Sequence, residues 1–300
     1  PGASLGPFVR RVAARRRGGL NRHRRAGMPH PSEQLMTDTV APERPRLTIA
    51  VLTKNEAQRI ERCLGSAAFA DELIVVDSGS DDDTVALARG LGAQVFIHSD
   101  WQGFAVQRNR LLAYARGDYI FFLDADEEIT PALQQDLCTA VQSGERAVGC
   151  IRWRVVAFGR ELKHFLSQSP VERLFRRDLL QRFEGAVHER AVLGGEPLPR
   201  HTLHSPLLHY SRDSVRSSLE KLTQYAMLGA AKRARAGRRG GIAVGMVYGS
   251  AVFIRLYFFK LGFLGGGAGF LFCYFIALEC FFRCVAQRYD SASLTDTVGR

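Results

Sequence analysis

The sequence predicts an α/β fold: a mainly parallel sheet with helices on both faces, followed by hydrophobic helices toward the C-terminal end. Three observations predict it. Short apolar runs alternate with helical stretches from Leu47 to about Gln142, the pattern of successive βαβ units. The runs are almost continuously apolar, as strands buried on both faces are. Residues 242–286 are strongly hydrophobic, unlike the mixed texture before them.

The elements follow in order. Leu47–Leu52 is a first strand, with a polar turn at Thr53–Glu56 and a helical stretch to about Ala68. Glu72–Val76 is a second strand ending at Asp77, and Thr84–Leu91 is helical. Ala93–His98 is a third strand, Phe104–Arg116 a helix, and Tyr119–Leu123 a fourth strand ending at Asp124. Pro131 suits a helix first turn, and that helix runs to about Gln142. Cys150–Phe158, Glu172–Phe175 and Val187–Val192 read as strand pieces, and Val215–Ala236 as a helix. The expected organisation is a disordered basic segment over 1–46, a catalytic α/β domain over 47–214, a membrane-associating helical region over 215–288 and a tail over 289–300. Met28 and Met36 are candidate start residues, and no apolar core of a secretory signal stands in 1–46.

Charge narrows the function classes. The net charge is +11, but residues 1–46 alone carry ten Arg and three acids, and Lys232–Arg239 carries five basic residues and no acid. The remainder is near neutral, so the fold itself offers no basic face of the kind nucleic acid needs. Six cysteines lack CxxC or zinc spacing and read as free thiols of a reducing compartment.

The chemistry sits where an open parallel sheet places ligands, at the carboxyl ends of its strands. Thr53-Lys54-Asn55-Glu56 follows the first strand, Asp77 through Thr84 the second, and Asp124-Ala125-Asp126-Glu127 the fourth. No glycine-rich phosphate loop stands at any of them. Two carboxylates one residue apart in extended backbone can face one side, and such hard oxygen ligands suit Mg²⁺ or Mn²⁺ bridging to a diphosphate. Thr53–Glu56 also suits a helix cap, and capping is the preferred reading of Asp81–Asp83.

The run TIAVLTKNEAQRIERCLGSAAFADELIVVDSGSDDDTVALARGLGAQVF, then WQGFAVQRNR and YIFFLDADEEITP, resembles the family 2 glycosyltransferases of GT-A fold, nearest the lipopolysaccharide core β-1,4-glucosyltransferase type. RLFRRD, FEGAVHER, PLLHY and FIRLYFFKLGFLGGGAGFLF continue it to about residue 285. The resemblance implies that Thr53, Asn55 and Glu56 line a nucleoside pocket. It implies that Asp77 accepts from the uracil, with Ser78, Gly79 and Ser80 shaping its loop. Gln107, Arg108 and Asn109 would meet donor phosphates or sugar, Asp124 ribose or metal, and Asp126 the metal. His209 is a candidate third metal ligand or a structural histidine, and His188 a loop-orienting residue. Arg173, Arg176 and Arg177 are candidates for the diphosphate or an anionic acceptor, and Trp101 for packing beneath the sugar.

The family inverts the anomeric centre in one displacement, which needs a carboxylate base on the acceptor side. Glu189 is the candidate, with Glu127 or Glu128 as runner-up. The implied partners are a nucleotide-sugar donor and a lipid-linked saccharide acceptor, probed in a segment, ELKHFLSQSPVE after Arg160, that departs from the family pattern and leaves acceptor identity open.

Leu261–Phe282 has the length of a span but is crowded with glycine in its first half. The preferred reading is two interfacial helices joined by a glycine bend, held by the Lys232–Arg239 patch at an anionic membrane surface, on the cytoplasmic face of the inner membrane. A single span is the alternative. A metal-dependent nucleotidyltransferase and a non-catalytic basic binding protein are the competing functions. The first lacks its Gly/Arg/Lys-rich loop after the first strand, and the second does not explain the retained Asp124 and Asp126.

Overall fold

A computed structural model describes residues 45–185 and 189–290. The expected disorder of 1–46 therefore falls outside the described residues except at Pro45 and Arg46, as do His188 and tail residues 291–300.

The chain opens with β1 (Leu47–Thr53), α1 (Ile60–Ser66), β2 (Glu72–Asp77), α2 (Thr84–Gly90), β3 (Gln94–Ile97), α3 (Phe104–Tyr114) and β4 (Tyr119–Asp124). A short β5 (Glu127–Glu128) precedes α4 (Pro131–Gln142). Next come β6 (Val148–Ile151), β7 (Trp153–Ala157), β8 (Arg160–Leu166) and β9 (Val171–Arg176). The sheets end with β10 (Leu180–Glu184), β11 (Arg190–Leu193), β12 (Arg200–Thr202) and β13 (Leu207–Arg212). Three helices follow: α5 (Val215–Arg235), α6 (Ile242–Ile254) and α7 (Gly266–Tyr289).

The large sheet has seven strands in the order β12-β6-β9-β4-β1-β2-β3. β1 through β4 run parallel, and β9 enters antiparallel beside β4. Alternate residues of the central strands feed two cores. Ile49, Val51, Val75, Phe121 and Leu123 meet α1, α2 and α4 on one face. Ala50, Ile74, Val76, Ile120 and Phe122 meet α3 and β10 on the other. The apolar runs are continuous because both faces are covered. The Cys150–Phe158 run is not one strand. It breaks at exposed Arg152, with β6 in the large sheet and β7 in a second, four-stranded sheet ordered β5-β13-β7-β8.

Ser214 caps α5, its hydroxyl accepting from the Ser217 amide at 3.1 Å. Helix α6 continues through a π-helical turn at Arg255–Phe259, and the chain reverses at Leu261, whose φ is +56°. The hairpin with α7 is close because α6 presents glycines to it: a Cβ at Gly245 would stand 2.9 Å from the Phe281 carbonyl oxygen, and one at Gly249 3.0 Å from that of Ala277. Phe272 and Cys273 of α7 pack on Ala157, Leu162 and Phe165 of the second sheet. Arg212 of β13 forms a buried ion pair with Glu279 of α7. Helices and sheets thus belong to one compact unit.

Candidate active site

The topology makes the site. From β1 the chain moves outward to β2 and β3, then returns to place β4 on the other side of β1. Thr53 lies in register with Asp77, and Leu52 with Asp124, so the three acid-rich loops share one sheet edge at the switch point.

The loop after β2 is built around Asp77, which is fully buried. One carboxylate oxygen accepts from the Gly79 and Ser80 amides at 3.0 and 2.8 Å. The other accepts from the Thr53 and Ser80 hydroxyls at 2.9 and 2.6 Å. The oxygens that the resemblance assigns to a uracil are engaged inside the loop here. Gly79 has φ +83° and lies so near Ser99 that a Cβ would stand 3.1 Å from it, which explains glycine at this turn.

The Thr53–Glu56 turn does not cap the first helix, which begins later, at Ile60. It braces the neighbouring loop instead. Asn55, at φ +56°, donates its amide to the Ser80 hydroxyl and accepts from the Asp81 amide, and the Glu56 amide donates to the Thr84 hydroxyl. Capping at α2 belongs to Asp82, which accepts from the Thr84 amide and hydroxyl, whereas Asp83 makes no side-chain cap. Burial raises the Glu56 carboxyl above its ordinary range despite its ion pair with Arg59.

The residues of α3 divide. Gln107 is fully buried and donates to the Ser78 hydroxyl at 3.0 Å, supporting the loop from behind. Asn109 closes a two-bond clamp on Phe183, donating to its carbonyl at 2.9 Å and accepting from its amide at 2.6 Å. Both groups of the amide are engaged there, so Asn109 holds β10 against α3 in place of the expected donor contact. Arg108 alone reaches the carboxylates: its Nε donates to Glu189 at 3.0 Å and its Nη2 to Asp124 at 3.4 Å.

Asp124 and Asp126 part ways. Asp124 is held by Arg173 at 2.6 Å and by Arg108. Burial opposes ionisation, but the two guanidiniums outweigh it and hold this carboxyl well below the usual range. Asp126 instead meets His209, Oδ1 to Nδ1 at 3.6 Å. The short pairing of β5 with β13 brings them together, with His209 opposite Glu127 and the Tyr210 amide donating to the Asp126 carbonyl at 2.8 Å. Burial disfavours charge on both, and their mutual attraction reverses it: the Asp126 pKa is lowered and the His209 pKa raised. Among the described residues no three ligating side chains converge, so Asp124 does not join Asp126 and His209 in one set.

Of the runner-up bases, Glu127 is buried and Glu128 keeps a side chain 30% exposed. Glu127 is 1% exposed beneath the turn, accepting from the Asp124 amide and from Arg173, and burial lifts its pKa to about 7. Glu128 accepts from the Tyr210 hydroxyl. Glu189 stands at the sheet edge with a side chain 20% exposed. Of three candidate arginines only Arg173 is at the site. Antiparallel β9 sets Arg176 opposite Tyr119, at the far end of β4, where it pairs with Asp178, and the Arg177 amide bonds there to Asp118. Trp101 is half-exposed, with its ring edge-on to Phe104.

Sequence reasoning missed the anchoring role of Arg173 and the positions of Trp153 and Lys221. Trp153 packs between the Arg173 guanidinium and the His209 ring. Lys221 of α5 donates to the Ser211 carbonyl and acts electrostatically on Asp126 and His209. One signal was available for Arg173: an arginine inside an apolar strand demands a buried carboxylate.

The family model described as glycosyl transferase family 2 matches residues 48–191. An uncharacterized glycosyltransferase of Rickettsia bellii is 27% identical over 81% of this chain and 86% of its own length. A lipopolysaccharide core biosynthesis glycosyltransferase, LpsC, of Rhizobium meliloti is 28% identical over 71% of this chain and 80% of its own. An uncharacterized glycosyltransferase of Rickettsia felis is 42% identical over 31% of this chain, a match that spans about a third of its length (32%). Among solved structures, a mannosyltransferase of Pyrobaculum calidifontis aligns over 39% of this chain and 36% of its own, at 30% identity and TM-score 0.32. The GT-A expectation agrees with the switch-point sheet described above, and residues 48–191 form a domain that matches glycosyl transferase family 2.

Proposed function

We propose that this chain is an inverting, divalent-metal-dependent hexosyltransferase. It takes a sugar, glucose foremost, from a nucleotide-sugar donor and adds it to a lipid-linked saccharide of lipopolysaccharide-core type. The observation that carries the reading is the meeting of Asp126 and His209 at the switch point of a family 2 domain. The acceptor class rests on LpsC, whose name gives it a role in lipopolysaccharide core biosynthesis.

The residues present fit an Mg²⁺ or Mn²⁺ ion. His209 Nδ1 is buried with no hydrogen-bond partner, and it faces a carboxylate oxygen. Asp126 and His209 would hold the ion from the protein side. Such an ion, when bound, supplies Lewis-acid stabilisation of the departing diphosphate.

The chain's own groups do the rest. Arg173 and Arg108 hold Asp124 ionised and directed, which suits it to a ribose hydroxyl. The Asp77-centred loop and the Thr53–Glu56 turn form a rigid floor for the nucleoside. Arg108 orients Glu189, and that carboxylate accepts the acceptor hydroxyl's proton as the sugar is attacked from the face opposite the leaving group.

Calorimetric titration of UDP and a panel of UDP-sugars, with and without Mn²⁺, tests the donor site. Metal-dependent binding that Asp126→Ala abolishes supports the proposal. Binding of equal strength without metal overturns its metal dependence, and a Glu189→Gln variant with normal turnover overturns the base.

The two helical stretches Ile242–Phe259 and Gly262–Tyr289 are long and apolar enough to cross a membrane, with 18-residue segments of mean hydropathy 1.7 and 1.8. We favour interfacial docking at the cytoplasmic face of the inner membrane. The buried Arg212–Glu279 pair ties the middle of α7 to the strand that carries His209, which a transmembrane path would break. Release from membranes by salt and carbonate washing is the expected outcome, and resistance to both marks a span.

A further inference from the structure

Between α5 and α7, away from the carboxylate edge, lies a cleft of about 260 Å³ lined by Lys232, Arg233, Arg238 and Arg283, with Tyr248 and Gly229 and no carboxylate. Four cations gathered in one hollow repel one another unless an anion joins them. The cleft is organised, not a random surface run. Arg233 is held open by neutral oxygens, Nε donating to Gln287 Oε1 at 3.1 Å and Nη2 to the Arg239 carbonyl at 2.9 Å, and it lies over the Tyr248 ring. Gly229 makes room for Arg283, because a Cβ there would collide with its Nε. That Nε is buried and has no hydrogen-bond partner. Glu279, one turn earlier on α7, is directed to Arg212.

The cleft opens onto an apolar hollow. Arg233, Arg238 and Tyr248 also border Val244, Val247 and Ala251 along α6. Val247 is 74% exposed, and Met246 and Ile242 beside it are also exposed. A cationic cleft continuous with an apolar helix face has the profile of one amphiphile: a phosphate at one end and hydrocarbon at the other.

We infer that the cleft between α5 and α7 binds the phosphate headgroup of a single anionic phospholipid, whose acyl chains lie along α6. The guanidiniums of Arg283, Arg233 and Arg238 match phosphate oxygens in paired N–H···O contacts. The site is separate from the sugar-transfer chemistry. It rests on the interfacial-docking reading only in placing the α6 face against a membrane.

The full chain is sedimented with phosphatidylcholine vesicles and with the same vesicles containing phosphatidylglycerol, at physiological salt. Arg283→Ala removes a cleft contact, and Arg235→Ala removes an equal charge on the same helical region outside the cleft. The expected loss of affinity for anionic vesicles is roughly 10- to 100-fold for Arg283→Ala and about fivefold for Arg235→Ala, the effect of any cation near an anionic surface. Arg283→Lys should recover only part of the loss. Unchanged UDP binding by each variant shows that the fold is intact. Equal losses for the two alanine variants overturn the cleft while leaving docking in place. Failure of the wild type to bind either vesicle overturns the docking reading, and the lipid with it. Calorimetric binding of soluble glycerol phosphate to the wild type that Arg283→Ala abolishes, with vesicle affinity unchanged in Arg283→Ala, would assign the cleft to a free phosphate compound and overturn the lipid.

Discussion

The carboxyl edge of the large sheet and the C-terminal hairpin are held by opposite means. At the sheet edge, charged groups from distant parts of the chain satisfy one another: Arg173 joins Asp124 and Glu127, Arg108 joins Asp124 and Glu189, and Asp77 accepts four hydrogen bonds. In the hairpin, glycines let α6 and α7 approach, yet Met246, Val247, Phe258 and Phe259 stay more than half exposed. The first region is preorganised, with His209 Nδ1 left unpartnered at its centre. The second leaves apolar area uncovered, which a soluble chain seldom does unless something else covers it. Rigidity belongs to the chemistry and an unfinished surface to docking.

The comparison breaks first at Arg173. Arg173→Met removes the counter-ion of buried Glu127, and the expected cost is about 3–5 kcal/mol of stability, read as a fall in the denaturant midpoint. A cost below 1 kcal/mol would mean the network is not what holds the edge. Next is Asp126→Ala, for which a roughly 10²- to 10³-fold loss of turnover is expected, with melting temperature little changed; the readout is initial rate with the preferred UDP-sugar at saturating Mn²⁺. Gly245→Ala comes third. Its Cβ meets the Phe281 carbonyl, and the overpacking should cost about 1–3 kcal/mol, with donor binding intact by calorimetry. Asn109→Ala unclamps β10 and should cost about 1–2 kcal/mol, with a normal affinity for UDP; a specific loss of UDP affinity would restore Asn109 to the donor site. The smallest expected change is in Val247→Glu, within about 0.5 kcal/mol of wild-type stability yet weakened on vesicles of every composition, which separates docking from folding.

Much of this was legible in order along the chain. Local patterns determine strands and helices, so α4 at Pro131–Gln142 and the start of α5 match their readings, and the three acid-rich loops fall at the ends of β1, β2 and β4. The break at Arg152 was not legible, because an apolar run does not say which of two sheets its halves join.

The sequence by itself determined the sheet, its buried strands, the carboxylate pair and the apolar hairpin, because each is written in neighbouring residues whose period and polarity decide their own conformation. Only the tertiary structure decided which of those polar residues meet. It turned Asn109 and Gln107 inward, gave Asp124 to two arginines, set His209 beside Asp126 through a two-residue strand, and gathered four cations from two helices and the turn after α5 into one cleft. Such pairings depend on strand order and helix packing, and a side chain's partners across the fold leave no local period by which to read them.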